Sequence, residues 1–192
     1  ENHRAFVLQS KTDDPLGAYQ LHGPFQTGES ANENLWAIDM TPLKLGDKLY
    51  AIWSGWGRPN TDRQFLYIAE MESPLKLSTK RVRICNNSDY NWELTEPKPR
   101  GRGLNEGPQV IRNGERTFVT YSCGASWLTN YKLGLLELTG DDPLDPSAWK
   151  KNKGSVFQST KETFGVGHSC FVRSPNGSEW WHVFHAKESR AR

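Results

Sequence analysis

Three ionisable residues stand in similar surroundings: Asp39 in Ala37-Ile38-Asp39-Met40-Thr41-Pro42, Glu106 in Leu104-Asn105-Glu106-Gly107-Pro108, and His168 in Val166-Gly167-His168-Ser169-Cys170. They are separated by 67 and 62 residues. Each is followed at nearly the same offset by a turn signal, Gly46-Asp47, Asn113-Gly114 or Asn176-Gly177. An aromatic-rich apolar run comes next: Leu49-Tyr50-Ala51-Ile52-Trp53, Thr117-Phe118-Val119-Thr120-Tyr121 or Trp180-Trp181-His182-Val183-Phe184. A near-constant period points to a repeat architecture, and equivalent places in the repeats would aim Asp, Glu and His at one shared point. Two carboxyls facing a polar pocket with aromatic walls suit glycoside hydrolysis. One acid protonates the leaving oxygen, and one carboxylate activates water or attacks the sugar.

Each residue also has a plainer reading. Asp39 lies in an otherwise apolar run and could bond the backbone amides of a neighbouring turn. Glu106 could be salt-bridged to Arg100, Arg102 or Arg112, and His168 could hydrogen-bond two neighbours in the interior. For Glu106 the functional alternative is a general acid, because a partly desolvated carboxyl beside another carboxylate keeps its proton to higher pH. For His168 it is metal or water ligation. His182 and His185 fall on opposite faces of a strand, so no histidine cluster is expected.

The elements that must carry these residues are short strands bounded by turns. A second repeated signal, Asp14-Pro15-Leu16, Ser73-Pro74-Leu75 and Asp142-Pro143-Leu144, follows the runs Phe6-Val7-Leu8-Gln9, Phe65-Leu66-Tyr67-Ile68-Ala69 and Leu133-Gly134-Leu135-Leu136. Proline cannot donate to a ladder and ends each strand there. Each repeat therefore reads as four antiparallel strands, the blade of a β-propeller. Expected outer strands are Arg81-Val82-Arg83-Ile84-Cys85 and Ser155-Val156-Phe157. Residues 86–103 and 124–130 read as loops over one end, and residues 142–150 hold at most one helical turn. The fold class is all-β, with residues 1–192 forming a single partial β-propeller domain of about three blades' worth of sequence. Two blades are whole; residues 1–27 supply only outer strands and residues 166–186 only inner ones.

Composition removes several classes. A formal net charge of +2 with 24% charged residues argues against nucleic acid or an anionic membrane as partner. No apolar run approaches the roughly 20 residues of a membrane span. There is no G-x-S-x-G elbow, P-loop or dinucleotide fingerprint. Cys85, Cys123 and Cys170 show no metal-ligand spacing, and two of them read as buried thiols. Eight tryptophans are many for this length; indole faces either fill cores or stack on sugar rings.

At Trp36-Ala37-Ile38-Asp39, Tyr50-Ala51-Ile52-Trp53-Ser54-Gly55-Trp56, Tyr67-Ile68-Ala69-Glu70-Met71, Asn105-Glu106-Gly107-Pro108, Thr120-Tyr121-Ser122, Leu133-Gly134-Leu135-Leu136 and Gly167-His168-Ser169 the chain resembles the family 43 glycoside hydrolases. These matches span essentially the whole chain and are nearest to members acting on α-L-arabinofuranosyl linkages. The resemblance implies a five-bladed β-propeller and an inverting mechanism. Glu106 would be the general acid. Asp39 would be the second carboxylate, orienting that acid and modulating its pKa. His168 would lie at the channel axis, where a Ca²⁺ ion is held through water. The implied general base belongs to a first blade that would precede Glu1, and the closing blade is likewise missing, so the chain alone is expected to be inactive. Met40 departs from the family, where glycine is common. Trp53, Trp56, Trp127 and Phe164 are the expected substrate-binding aromatics. The implied substrate is a plant cell-wall oligosaccharide or polysaccharide such as arabinoxylan or arabinan, met by a secreted, extracellular enzyme that is monomeric at full length. The alternatives are a non-catalytic sugar-binding propeller, and a β-xylosidase or endo-arabinanase of the same fold.

Overall fold

The computed structural model describes residues 3–28 and 34–189. Strands β1 (Val7–Ser10) and β2 (Tyr19–His22) form a two-stranded antiparallel sheet. The second sheet holds β3 (Ala37–Leu45), β4 (Lys48–Trp56), β5 (Gln64–Ser73), β6 (Lys76–Leu77) and β7 (Val82–Cys85), with β6 and β7 both on the outer side of β5. The third runs β8 (Glu106–Asn113), β9 (Arg116–Cys123), β10 (Lys132–Leu138) and β11 (Trp149–Lys151) in order. The last pairs β12 (Phe164–Arg173) with β13 (Trp180–Lys187). Two whole blades are thus flanked by two half blades, as the repeats predict, and the sheets do not close into a ring.

The repeated turns form for identifiable reasons. Gly46 and Gly114 sit in the left-handed region (φ 57° and 60°), where glycine pays no Cβ penalty, and each opens a two-residue hairpin. In the three Pro-Leu corners a side-chain oxygen caps the leucine amide: Asp14 Oδ1 accepts from Leu16 N at 2.9 Å, Ser73 Oγ from Leu75 N at 3.3 Å, and Asp142 Oδ1 from Leu144 N at 2.9 Å. One outer strand differs from the expectation. It is Trp149–Lys151 that pairs with β10, while 155–157 contributes only a single bridge, Leu133 to Phe157. The apolar Trp149 is buried by the sheet interface, whereas Val156 stays exposed. The helical content of 142–150 is one 3₁₀ turn, Pro146–Ala148, and a second turn, Asn91–Glu93, lies in the long connection read as loop.

The main core lies between the two whole blades. Leu43, Tyr50, Ile52, Leu66 and Ile68 of one meet Val119, Tyr121, Leu136 and Trp149 of the other. Strand alternation sends Ala51 and Trp53 to the opposite face of β4, where they pack with Ala37, Tyr67 and Ala69. A buried acid also anchors the long connection to the β8–β11 blade. Glu93, fully buried, accepts from Tyr121 Oη at 2.9 Å and pairs with Lys151 Nζ at 2.8 Å. Cys85 and Cys123 are buried, as expected, and Cys170 is exposed; burial pushes the Cys85 thiol up to about 12.

The blades are also sewn together by two serines. Ser54 of β4 donates to the carbonyl of Asn105 at 2.7 Å, just ahead of β8. Ser122 of β9 accepts from the backbone N–H of His168 in β12 at 2.7 Å. Both serines are wholly buried. Each hydrogen bond runs from the second strand of one blade to the first strand of the next, and so sets their mutual height.

Candidate active site

The first strand of each of the last three blades carries a β-bulge at the same height. Pairing skips a residue between Ile38↔Ser54 and Thr41↔Ile52, between Glu106↔Ser122 and Gln109↔Thr120, and between Gly167↔His185 and Cys170↔Val183. The first residue of each bulge is left-handed: Asp39 (φ 56°), Gly107 (φ 56°) and His168 (φ 48°). Such bulges bend the strand and re-aim side chains. Glycine takes this conformation freely; Asp and His at positive φ cost on the order of 1 kcal/mol each, and such outliers gather at functional sites.

This geometry corrects the expected equivalence. Asp39 and His168 are counterparts, but their counterpart in the third sheet is Gly107; Glu106 stands one residue earlier, in register with Ile38 and Gly167. The three residues nevertheless converge, because the bulges nest. The Gly107 N–H donates to Asp39 Oδ2 at 2.9 Å. A Cβ on Gly107 would lie 3.4 Å from His168 Nδ1, so the missing side chain admits the imidazole. Asp39 Oδ1 is 3.7 Å from His168 Nε2, and Glu106 Oε1 is 3.9 Å from His168 Nδ1.

Among the described residues none of Arg100, Arg102 and Arg112 pairs with Glu106. Arg102 is paired with Asp62, and Arg112 donates to the Lys44 carbonyl. Instead Tyr131 Oη donates to Glu106 Oε1 at 2.6 Å, and Gln64 Nε2 donates to Oε2 at 3.4 Å. Tyr131 is fully buried. Burial, and then the Glu106 charge, push its phenol far above the ordinary range, so it remains a donor. Gly167 makes room for it, since a Cβ there would meet the Tyr131 ring at 2.4 Å. His185 stacks on that ring (5.2 Å between centroids, 8° between planes), with its pKa lowered by burial and then by His168. Sequence reasoning missed Tyr131, Gln64 and His185. Gln64 opens β5, Tyr131 ends the loop before β10, and no motif spacing links either to Glu106.

The expected aromatic walls divide. Trp53 is completely buried beneath the Asp39 bulge, with both its faces in the core, so the substrate-binding assignment is corrected to a packing role. Trp56 is half-buried at the site end of β4 and stacks on Trp36 (5.1 Å, 8°). Trp127, on the loop between β9 and β10, is 50% exposed. Phe164 is half-buried at the first position of β12.

The fit to Ca²⁺ was expected at His168. Ca²⁺ takes six to eight oxygen ligands. Among the described residues no three His, Cys, Asp or Glu side chains are grouped to hold a metal. Asp39 and His168 alone do not make a direct coordination shell, and no chemical step below passes through an ion.

Stacked four-stranded blades, with a glutamate, an aspartate, an imidazole and a phenol brought together at the bulges of their first strands, define a partial β-propeller. The whole chain, residues 1–192, matches the family described as glycosyl hydrolases family 43, and it belongs to that family. It is 30% identical over 186 residues to an extracellular exo-α-(1→5)-L-arabinofuranosidase of Streptomyces avermitilis, covering 95% of this chain and 36% of that protein. It is 32% identical to α-L-arabinofuranosidase 43 of Humicola insolens, covering 97% and 38%. Among solved structures, the α-L-arabinofuranosidase of Lactobacillus brevis superposes with a TM-score of 0.86 at 31% identity, covering 99% of this chain and 57% of that one. A thermostable family-43 glycoside hydrolase gives 0.72 at 25% identity, covering 93% and 56%. The chain thus spans between about a third and just over half of the length of these relatives.

Proposed function

We propose that this chain carries the acid side of an inverting glycoside hydrolase that releases α-L-arabinofuranosyl groups from plant cell-wall polysaccharides outside the cell. The observation that carries the reading is the Glu106 carboxyl, held by Tyr131 and Gln64 beside the bulge on which Asp39 is docked. The names of the relatives support the sugar, and the word extracellular in the Streptomyces relative supports the location.

In this reading Glu106 gives its proton to the glycosidic oxygen as the bond from that oxygen to the anomeric carbon breaks. A water attacks the anomeric carbon from the opposite face and loses its proton to a base carboxylate, and the sugar leaves with inverted configuration. No residue of this chain is assigned the base. Tyr131 occupies Glu106 Oε1, which leaves Oε2 to carry the transferable proton. Asp39 fixes the bulge through the Gly107 amide and so orients the neighbouring Glu106. His168 stands between the two carboxyls, 3.7 Å from Asp39 Oδ1 and 3.9 Å from Glu106 Oε1, and a Ca²⁺ ion would be held there only through water.

The test uses the full-length protein on aryl arabinofuranosides, aryl xylosides and arabino-oligosaccharides. Glu106→Gln is expected to lose about 10²–10⁴-fold on natural linkages and much less on substrates with very acidic leaving groups, which need little protonation. Equal losses on both would sink the acid assignment. Faster turnover of xylosides than of arabinofuranosides would move the substrate class.

A further inference from the structure

Beside the Glu106 cluster, three loops enclose a polar cleft of about 470 Å³. One wall is Asp62-Arg63, between β4 and β5. A second is the 95–102 part of the long connection, with Glu96, Arg100 and Arg102. The third is the β9–β10 loop with Trp127. The chain itself fixes the cleft next to the cluster. Arg63 immediately precedes Gln64, and the Trp127 loop ends at Tyr131; these are the two residues that donate to Glu106. Side-chain bonds from Asn130 to the carbonyls of Leu94 (3.3 Å) and Thr95 (2.9 Å) hold the second and third walls together.

The charges in this cleft are only partly matched. Arg102 is neutralised by Asp62. Arg63 and Arg100 are exposed and hold no carboxylate among the described residues, which leaves two guanidiniums facing the single carboxylate of Glu96. A guanidinium is built to grip a carboxylate with two parallel hydrogen bonds. Half-exposed Trp127 supplies a flat apolar face of the kind that covers the CH side of a sugar ring. A subsite for neutral sugar would need hydroxyl partners and gains nothing from unmatched positive charge.

We infer that this cleft is a subsite for a sugar carboxylate: a uronate unit of an acidic polysaccharide, gripped by Arg63 and Arg100 and stacked on Trp127. Its placement relative to the bond cleaved rests on the glycosidase reading above; the binding does not. A neighbouring uronate would then raise the affinity for acidic, branched substrates over neutral ones.

The test is calorimetric titration of the full-length protein with trigalacturonate, with its fully methyl-esterified form, and with a xylotetraose branched by glucuronate, at about 50 mM salt, where exposed charges are less screened. The acid form is expected to bind at least about ten-fold tighter than the ester. In the Arg63→Ala/Arg100→Ala double variant that ratio should fall to about two or less, while Trp127→Ala should weaken acid and ester alike. Preference for either acidic ligand supports the subsite and names the polymer that supplies it. Equal binding of acid and ester, a ratio unmoved in the double variant, or displacement by equimolar inorganic phosphate would overturn it. Because these titrations need no turnover, they can be repeated in Glu106→Gln. Acid-selective binding in a wild-type protein that hydrolyses none of the glycosides would count only against the glycosidase reading.

Discussion

The two whole blades are built on one plan and place their chemistry one residue apart. In the β3–β7 blade the tip of the bulge is Asp39, and the functional side chain is the left-handed residue itself. In the β8–β11 blade the tip is Gly107, and the functional side chain, Glu106, stands just before it. Gly107 turns its backbone amide to Asp39 and its empty side to His168. A blade can thus spend its bulge on a side chain or on a backbone donor, and the site needs one of each. Facing the bulges on the second strands are Trp53 and Tyr121, both fully buried, so in each blade an aromatic residue props the bulge from behind.

If that comparison is right, the largest effect in either blade comes from removing the prop. Trp53→Ala should cost about 3–5 kcal/mol of stability, as for other large buried aromatics, read as a fall in Tm. Near-wild-type stability with a raised KM would restore Trp53 to the sugar-binding surface. Next is Tyr131→Phe, which removes the donor to Glu106 Oε1 without opening a cavity. It should lower kcat on unactivated linkages by about 10–10²-fold, the value of one charge-assisted hydrogen bond, and less on aryl substrates with acidic leaving groups. A pure loss of stability with an unchanged rate would reduce Tyr131 to packing.

The bulge tips offer a reciprocal pair. Gly107→Ala should lose about 1–2 kcal/mol, because a Cβ at φ 56° is strained and meets His168. Asp39→Gly should change Tm little while its turnover collapses, since relief of the backbone strain offsets the lost Gly107 N–H to Oδ2 hydrogen bond. A Tm that falls in Asp39→Gly would show that Asp39 is kept for structure.

The smallest expected effect is a pH response of the last hairpin. Burial lowers the pKa of both His182 and His185. A group depressed in the folded state stabilises above its unfolded pKa, about 6.5 for histidine, and that contribution is lost as pH falls through the lower folded value. Tm should therefore drop more between pH 7 and 5 in the wild type than in His182→Phe/His185→Phe. Parallel pH curves would remove the histidines from the account.

Much of this plan was legible in the sequence. Turn glycines, Pro-Leu corners and aromatic runs located the blades, because each is a local signal that works through its own φ or its own side-chain cap. Cys85 and Cys123 read correctly as buried thiols for the same local reason. The off-by-one at Glu106 was harder, because a bulge leaves no residue-type signature. One signal was nonetheless present: Gly46 and Gly114 each lie seven residues beyond Asp39 and Gly107. The third blade blurs it, with a six-residue turn between Arg173 and Trp180. Tyr131 and Gln64 were not legible, since what recruits them is the approach of separate loops and not any spacing along the chain. Trp53 misled because an indole in a strand looks the same whether its face is open or buried.

The serine seams have a consequence for how such a fold can diversify. Asn87 Nδ2 donates to the Gly103 carbonyl at 3.0 Å, and Asn105 Nδ2 to the Asn86 carbonyl at 3.1 Å, so the long connection is pinched shut at its base. With Ser54 holding Asn105 directly, the height of Glu106 is dictated by its neighbouring strand and not by the length or shape of the loop that leads to it. Past the buried and bonded Glu93, Leu94 and Thr95, the 96–101 segment behaves as a detachable fitting on a fixed mount. Residues can be inserted, deleted or exchanged within it to admit a different polymer, while the proton donor stays where the seam has put it.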